Sequence, residues 1–166
     1  MRKGLLYILF LFGLTSCMSD ENCMQDLNFS MQAEFYRMVF DKSIEQFVPE
    51  KYSLPVSLFG LGKDSLLYNS TTTSKINIPL QKLDTISSFV LTTTVKVDTN
   101  LVILNDTIDI YHSNINEFVS LECGCIVTNN IFSIEQTTHR IDSIVLVTPE
   151  VNLQSKNNIK IYLSQR

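Results

Sequence analysis

The chain predicts an all-β fold, a single antiparallel β-sandwich of immunoglobulin-like type. Three observations carry that expectation. Stretches of alternating or β-branched residues recur at short spacing between Phe29 and Leu163. Turn-forming residues separate them at Gly60, Gly62, Asp98-Thr99-Asn100 and Asn129-Asn130. Setting aside an N-terminal leader leaves about 150 residues, the size of one ordinary domain.

The leader comes first in chain order. Arg2 and Lys3 precede an apolar run from Gly4 to Leu14, and Leu14-Thr15-Ser16-Cys17 closes it. A basic start, a short apolar stretch and small residues before a cysteine form the lipobox of a bacterial lipoprotein signal. The run is about half of the roughly 20 residues that a bilayer crossing needs. Cleavage before Cys17 and lipid on its sulfur are therefore expected. One acyl chain binds a membrane only reversibly, but several hold the protein there. The expected organisation is a signal peptide over 1–16, a lipidated cysteine and linker over 17–28, and the sandwich over 29–166. The expected location is the outer membrane, at its periplasmic face or the cell surface.

Strand signals then follow over Phe29–Met38, Tyr52–Leu58, Ser74–Leu80 and Ser87–Val97, and over Leu101–His112, Glu117–Val127, Arg140–Val147 and Asn158–Leu163. Asp41–Phe47 reads as a short helix. Gly60-Leu61-Gly62 reads as a turn between strands. In Ser87–Val97 the series Phe89, Leu91, Thr93, Val95, Val97 makes a mostly apolar face. Thr92, Thr94 and Lys96 lie opposite, as in a strand with one buried and one solvated side.

After lipidation of Cys17 three cysteines remain, Cys23, Cys123 and Cys125. Read as one strand, Glu117–Val127 puts Cys123 and Cys125 on its core face, where an inert thiol is the usual outcome. Alternate strand residues lie too far apart for an unstrained disulfide unless the strand bulges at Gly124. Cys23 paired with either cysteine, all thiols reduced, and a Cys123–Cys125 bond all stay open. A bridge from Cys23 would close a loop of about 100 residues.

Several chemistries lack support. Net charge is −4 with no basic cluster, which argues against nucleic acid as a partner. No G-x-S-x-G, H-E-x-x-H or S-x-x-K motif is present, and Gly60-Leu61-Gly62 lacks the third glycine of a dinucleotide fingerprint. Cys123 and Cys125, spaced by one residue, with the isolated His112 and His139, make a weak metal signal. No catalytic residue, metal site or cofactor is therefore expected.

The ordered set Gly60-Leu61-Gly62-Lys63-Asp64-Ser65-Leu66-Leu67-Tyr68, Ile78-Pro79-Leu80, Glu122-Cys123-Gly124-Cys125 and Ile141-Asp142-Ser143-Ile144 resembles an uncharacterised family of Bacteroidetes lipoproteins of unknown function. The likeness runs from about Cys23 to Leu163 and implies class and location, with no catalytic or binding residue to carry over. Met18-Ser19-Asp20-Glu21-Asn22 resembles the surface-export signal of such lipoproteins and equally reads as a solvated acidic linker. Ser65, Thr85, Thr107 and Ser143 each follow Asp and precede an aliphatic residue. That pattern resembles the O-glycosylation sequon of exported Bacteroidetes proteins.

The expected function is that of a lipid-anchored, non-enzymatic structural or binding module, held to the membrane by its anchor. Its partner would be an envelope protein or a glycan. Glycan binding would need exposed rings, with Tyr36, Tyr68 and Tyr111 the tyrosines to inspect. The alternative is a thiol- or metal-dependent envelope protein acting through Cys123-Gly124-Cys125.

Overall fold

The computed structural model describes residues 29–120, 124–152 and 156–164. Its strands in chain order are β1 (Ser30–Asp41), β2 (Gln46–Lys51), β3 (Leu54–Gly60), β4 (Leu66–Thr73), β5 (Lys75–Pro79) and β6 (Ile86–Val97). They continue with β7 (Asn100–Ser120), β8 (Gly124–Gln136), β9 (Ile141–Leu146), β10 (Glu150–Val151) and β11 (Ile159–Leu163). The described residues are all-β, as the alternation predicts. Lipobox, Cys17 and Cys23 lie outside the described residues, and so does Cys123.

Two sheets share the strands. The first runs β2-β1-β11-β9, with β5 also paired to β1; the second runs β10-β8-β7-β6-β3-β4. All the pairings are antiparallel except β1 with β11, which is parallel from Ala33↔Ile159 to Arg37↔Leu163. Parallel neighbours need a long connection between them. Here nearly the whole domain supplies it, because β1 and β11 are its first and last strands.

Along β1, Ser30–Glu34 pairs with β5 and Tyr36–Asp41 with β2. The β3–β4 hairpin of the second sheet is threaded between those two partners. This connection ties the sheets together at both ends of β1.

Alternation drives the packing. Met31, Ala33 and Phe35 of β1 meet Ile76, Ile78, Ile159 and Ile161 from the same sheet, all at most 1% exposed. Across the interface stand Val56, Leu58, Leu91, Ile108 and Ile110, also buried. Each such side chain withdrawn from water contributes about 1.5–3 kcal/mol. On β6 the expected series holds from Phe89 to Val95, and only Val97 emerges, 46% exposed. Gly60-Leu61-Gly62 does turn the chain between β3 and β4, with Gly62 at φ +73°, a conformation that side chains disfavour.

Two expectations need correction. Asp41–Phe47 is not helical: Phe40↔Phe47 and Asp41↔Gln46 pair across a hairpin that joins β1 to β2. The Asp41 carboxylate accepts bonds from Ser43 N–H and Oγ, which close the turn, and these bonds hold its pKa below the usual carboxylate range. A seven-residue helix would be too short to sustain itself, whereas the hairpin extends an existing sheet.

Glu117–Val127 is not one strand either. Phe118 pairs with Cys125 and Ser120 with Gly124, so the strand that leaves Gly124 runs antiparallel to the one that ends at Ser120. β7 arrives as one 21-residue strand and β8 departs. Cys125 therefore lies on the returning strand, exposed and with a free thiol, rather than on a core face. Period-two alternation carries no sign of direction, and so it could not reveal the reversal.

Candidate functional site

A serine–histidine–asparagine relay lies inside the second sheet. Ser87 Oγ stands 2.8 Å from His112 Nε2, and His112 Nδ1 stands 2.9 Å from Asn114 Oδ1. Because Asn114 Nδ2 donates to backbone carbonyls, its Oδ1 faces the ring and accepts from Nδ1–H; Nε2 is then left to accept from Ser87 Oγ–H. Those are the bonding directions of a hydrolytic relay. Here the arrangement is sealed, since Ser87 and His112 have no exposed surface. Asn114 Nδ2 donates to the carbonyls of Lys82 and Asp84, and Asn129 Nδ2 donates to Asn114 Oδ1. The network clamps the 80–85 loop to β7.

Burial pushes the His112 pKa down, against a smaller upward pull from Asn114. The folded protein therefore holds a neutral ring at pH values where the unfolded chain, near 6.5, takes up a proton. Stability is expected to fall as pH drops below about 6.5, by up to about 1.4 kcal/mol per unit while the folded ring stays neutral. Urea midpoints measured between pH 7.5 and 5 should show this slope, flattened in His112→Gln. An unchanged slope in the variant would assign it elsewhere.

Asp106 is the second buried polar centre, 1% exposed on the core side of β7. Its Oδ1 accepts from His139 N–H (2.7 Å) and Thr137 Oγ1 (3.0 Å), and its Oδ2 from Arg140 N–H (2.8 Å) and Ile141 N–H (3.1 Å). One carboxylate thus shapes the turn from β8 into β9. That turn delivers Arg140.

Arg140, 7% exposed, lines a recess of about 510 Å³ together with Arg37, Val39, Phe40, Phe47, Tyr52 and Ser164. A guanidinium nitrogen of Arg140 donates to the Ser164 carbonyl, and Ser164 N–H returns a 2.9 Å bond to the Arg140 carbonyl. Arg37 is bonded twice to Glu50 Oε2, at 2.8 and 3.0 Å, and its guanidinium stacks 4.8 Å from the Tyr52 ring centre. Phe40 and Phe47 meet edge to face at 5.3 Å, yet they are 48% and 62% exposed. The recess therefore sets two guanidinium groups, each already bonded to a protein oxygen, beside uncovered aromatic surface.

The residues singled out from sequence scatter. Ser65 and Thr85 are exposed, whereas Thr107 and Ser143 are half-buried within β7 and β9. Tyr68 packs on the core, and its hydroxyl accepts from Asn77 N–H. Tyr111 tilts against the exposed Phe132 at 6.4 Å and donates to Glu135. Tyr36 lies beside Tyr162 at 5.7 Å, with Lys160 over its ring and its hydroxyl on Glu34. Burial raises the Glu34 pKa, but bonds from Lys51 and Tyr36 outweigh it and leave the carboxyl below its usual range. His139 is 3.4 Å from Asp106, and His112 spends both ring nitrogens on its clamp. Among the described residues no three His, Cys, Asp or Glu side chains are placed to hold a metal ion.

A family described as being of unknown function matches residues 55–163, more than half of the chain. The chain belongs to DUF6452. No curated protein and no solved structure matches it. The DUF6452 match begins in β3 and ends in β11, so it holds the His112 clamp, Asp106 and Arg140. Arg37, Phe40, Phe47 and Tyr52 precede it. The recess is thus built where β1 and β2 fold back onto the part of the chain that matches the family.

Proposed function

We infer that this DUF6452 chain is a lipid-tethered envelope protein. Its sandwich acts as a non-enzymatic binding module, and the two-arginine recess is the ligand site. The recess carries the reading. It combines two guanidinium groups with three rings, and its serine hydroxyl, on Ser164, is buried. Such a lining can hold an anionic group and stack a flat apolar face, but it supplies no activated nucleophile.

Placement supports the same reading. Phe29 leads into the start of β1, and Arg37–Phe40 lie toward its far end. At the rise of an extended strand that is roughly 26–37 Å. A tether through Cys17 would enter at one end of the sandwich, leaving the recess at the other, facing away from the membrane. The serine–histidine pair is sealed and serves as a clamp, which favours binding over turnover.

An acidic oligosaccharide fits this chemistry, with carboxylates for the guanidinium groups and ring faces for Phe40 and Phe47. Titrating the full-length chain in detergent micelles with oligogalacturonate and with its neutral methyl ester tests the reading. Binding of the acid form alone is expected, weakened roughly tenfold by Arg37→Met, the value of one charge-assisted contact. Equal binding of both forms, no binding of either, or indifference to Arg37→Met would count against it.

A further inference from the structure

The geometry points to self-association through the open edge of β7: two copies of this chain pair antiparallel over Leu101–Asn105, with Ile103 on the two-fold axis. This edge shares no residue with the lining of the recess, and the inference does not depend on the tether.

The hydrogen-bonding parity of β7 sets the argument. β6 and β7 pair without a register shift from Ile86↔Tyr111 to Val97↔Asn100. Just beyond, His112 N–H donates to Thr85 O, so even-numbered residues of β7 turn their backbone groups toward the β6 side. Thr107 faces the other way, its carbonyl accepting from Thr137 N–H and its N–H donating to Thr137 Oγ1. Leu101, Ile103 and Asn105 share that parity. β8 pairs with β7 only from Ile108 onward. Among the described residues, nothing pairs with these outward backbone groups.

Sheet edges are normally blunted by a charge, a proline, a bulge or a cover. Asn100-Leu101-Val102-Ile103-Leu104-Asn105 has no charged residue, proline or glycine. Leu101 is 73% and Ile103 66% exposed on one face of the ribbon, and Val102 is 38% exposed on the other. A flat, uncharged, apolar edge of this kind is a template for another strand.

A second copy fits it by symmetry. The open segment is bounded by the Asp98-Thr99 turn at one end and by the Thr107–Thr137 bonds at the other, and its centre is Ile103. Antiparallel pairing about that centre sets Ile103 against its own copy, and Leu101 against Asn105 of the second copy. Each of these is a hydrogen-bonded pair that exchanges both its bonds. The other face brings Val102 against Leu104 of the second copy. No like charges are opposed, and apolar cross-strand pairs form on both faces. So short a contact lies at the weak end of the interface range.

Cysteine cross-linking of the full-length chain in detergent reads out this register. Ile103→Cys should form a disulfide-linked dimer on mild oxidation, because facing Cα atoms of such a pair lie about 5.5 Å apart. Leu101→Cys should stay at the parent's background, since its two copies would lie about 14 Å apart. Mixed Leu101→Cys and Asn105→Cys chains should cross-link. Ile103→Lys should keep the parent's circular dichroism and unfolding midpoint while abolishing its dimer in sedimentation velocity. A parent that sediments as a monomer across the concentration series would overturn the inference. So would an Ile103→Cys chain at background, or Leu101→Cys linking as readily as Ile103→Cys.

Discussion

Replacing Asp106 with alanine is expected to destabilise the domain by about 3–5 kcal/mol, because it leaves several donors without their shared acceptor. The substitution would strip the acceptor from three backbone N–H groups, those of His139, Arg140 and Ile141, and from the Thr137 hydroxyl. Each buried donor left unpaired costs about 1–3 kcal/mol. The sum is tempered because this turn is open to water on one side, where the His139 side chain is 63% exposed. Asp106→Asn should fall between the two, since its amide keeps one acceptor but presents N–H groups to donors. Urea unfolding measures the loss directly, and a change below about 1 kcal/mol, the size of a single ordinary hydrogen bond, would contradict this role. The same variant should loosen Arg140 in the recess, because Asp106 holds the Arg140 backbone.

This role had a trace in the sequence. On β7 the alternation Asp106, Ile108, Ile110, His112 places two polar residues in an otherwise apolar series. A polar residue at a core-facing position must find partners, and both of these did. Which partners they found was not legible, since Ser87 is 25 positions from His112 and Arg140 is 34 from Asp106.

The strands that could be read in advance are those with one wet and one dry face. β1, β3, β5, β6, β9 and β11 lie close to their expected places. β2 (Gln-Phe-Val-Pro-Glu-Lys) and β4 (Leu-Leu-Tyr-Asn-Ser-Thr-Thr-Thr) are largely exposed and carry no clean alternation. They are strands because their neighbours pair with them, a tertiary cause that local pattern does not record. The recess was hidden for the same reason. Arg37 and Arg140 come together because β11 lies beside β1 and Ser164, just past the end of β11, meets Arg140.

Replacing Cys17 with serine carries the largest expected effect of all, because it acts on location rather than on stability. Each buried methylene contributes about 0.8 kcal/mol, so two or more acyl chains correspond to attachment that washing does not reverse. None of the described residues forms a helix long and apolar enough to cross a membrane. On the proposed reading, the sulfur of Cys17 is what carries the attachment. Serine cannot replace it, having no sulfur to alkylate.

Labelled palmitate fed to cells expressing either form provides the direct measurement. The parent chain should take up the label and remain with the membranes through an alkaline carbonate wash, while Cys17→Ser takes up none. Equal labelling of the two forms, or an unlabelled parent released by the wash, would contradict the tether and the placement of the recess built on it.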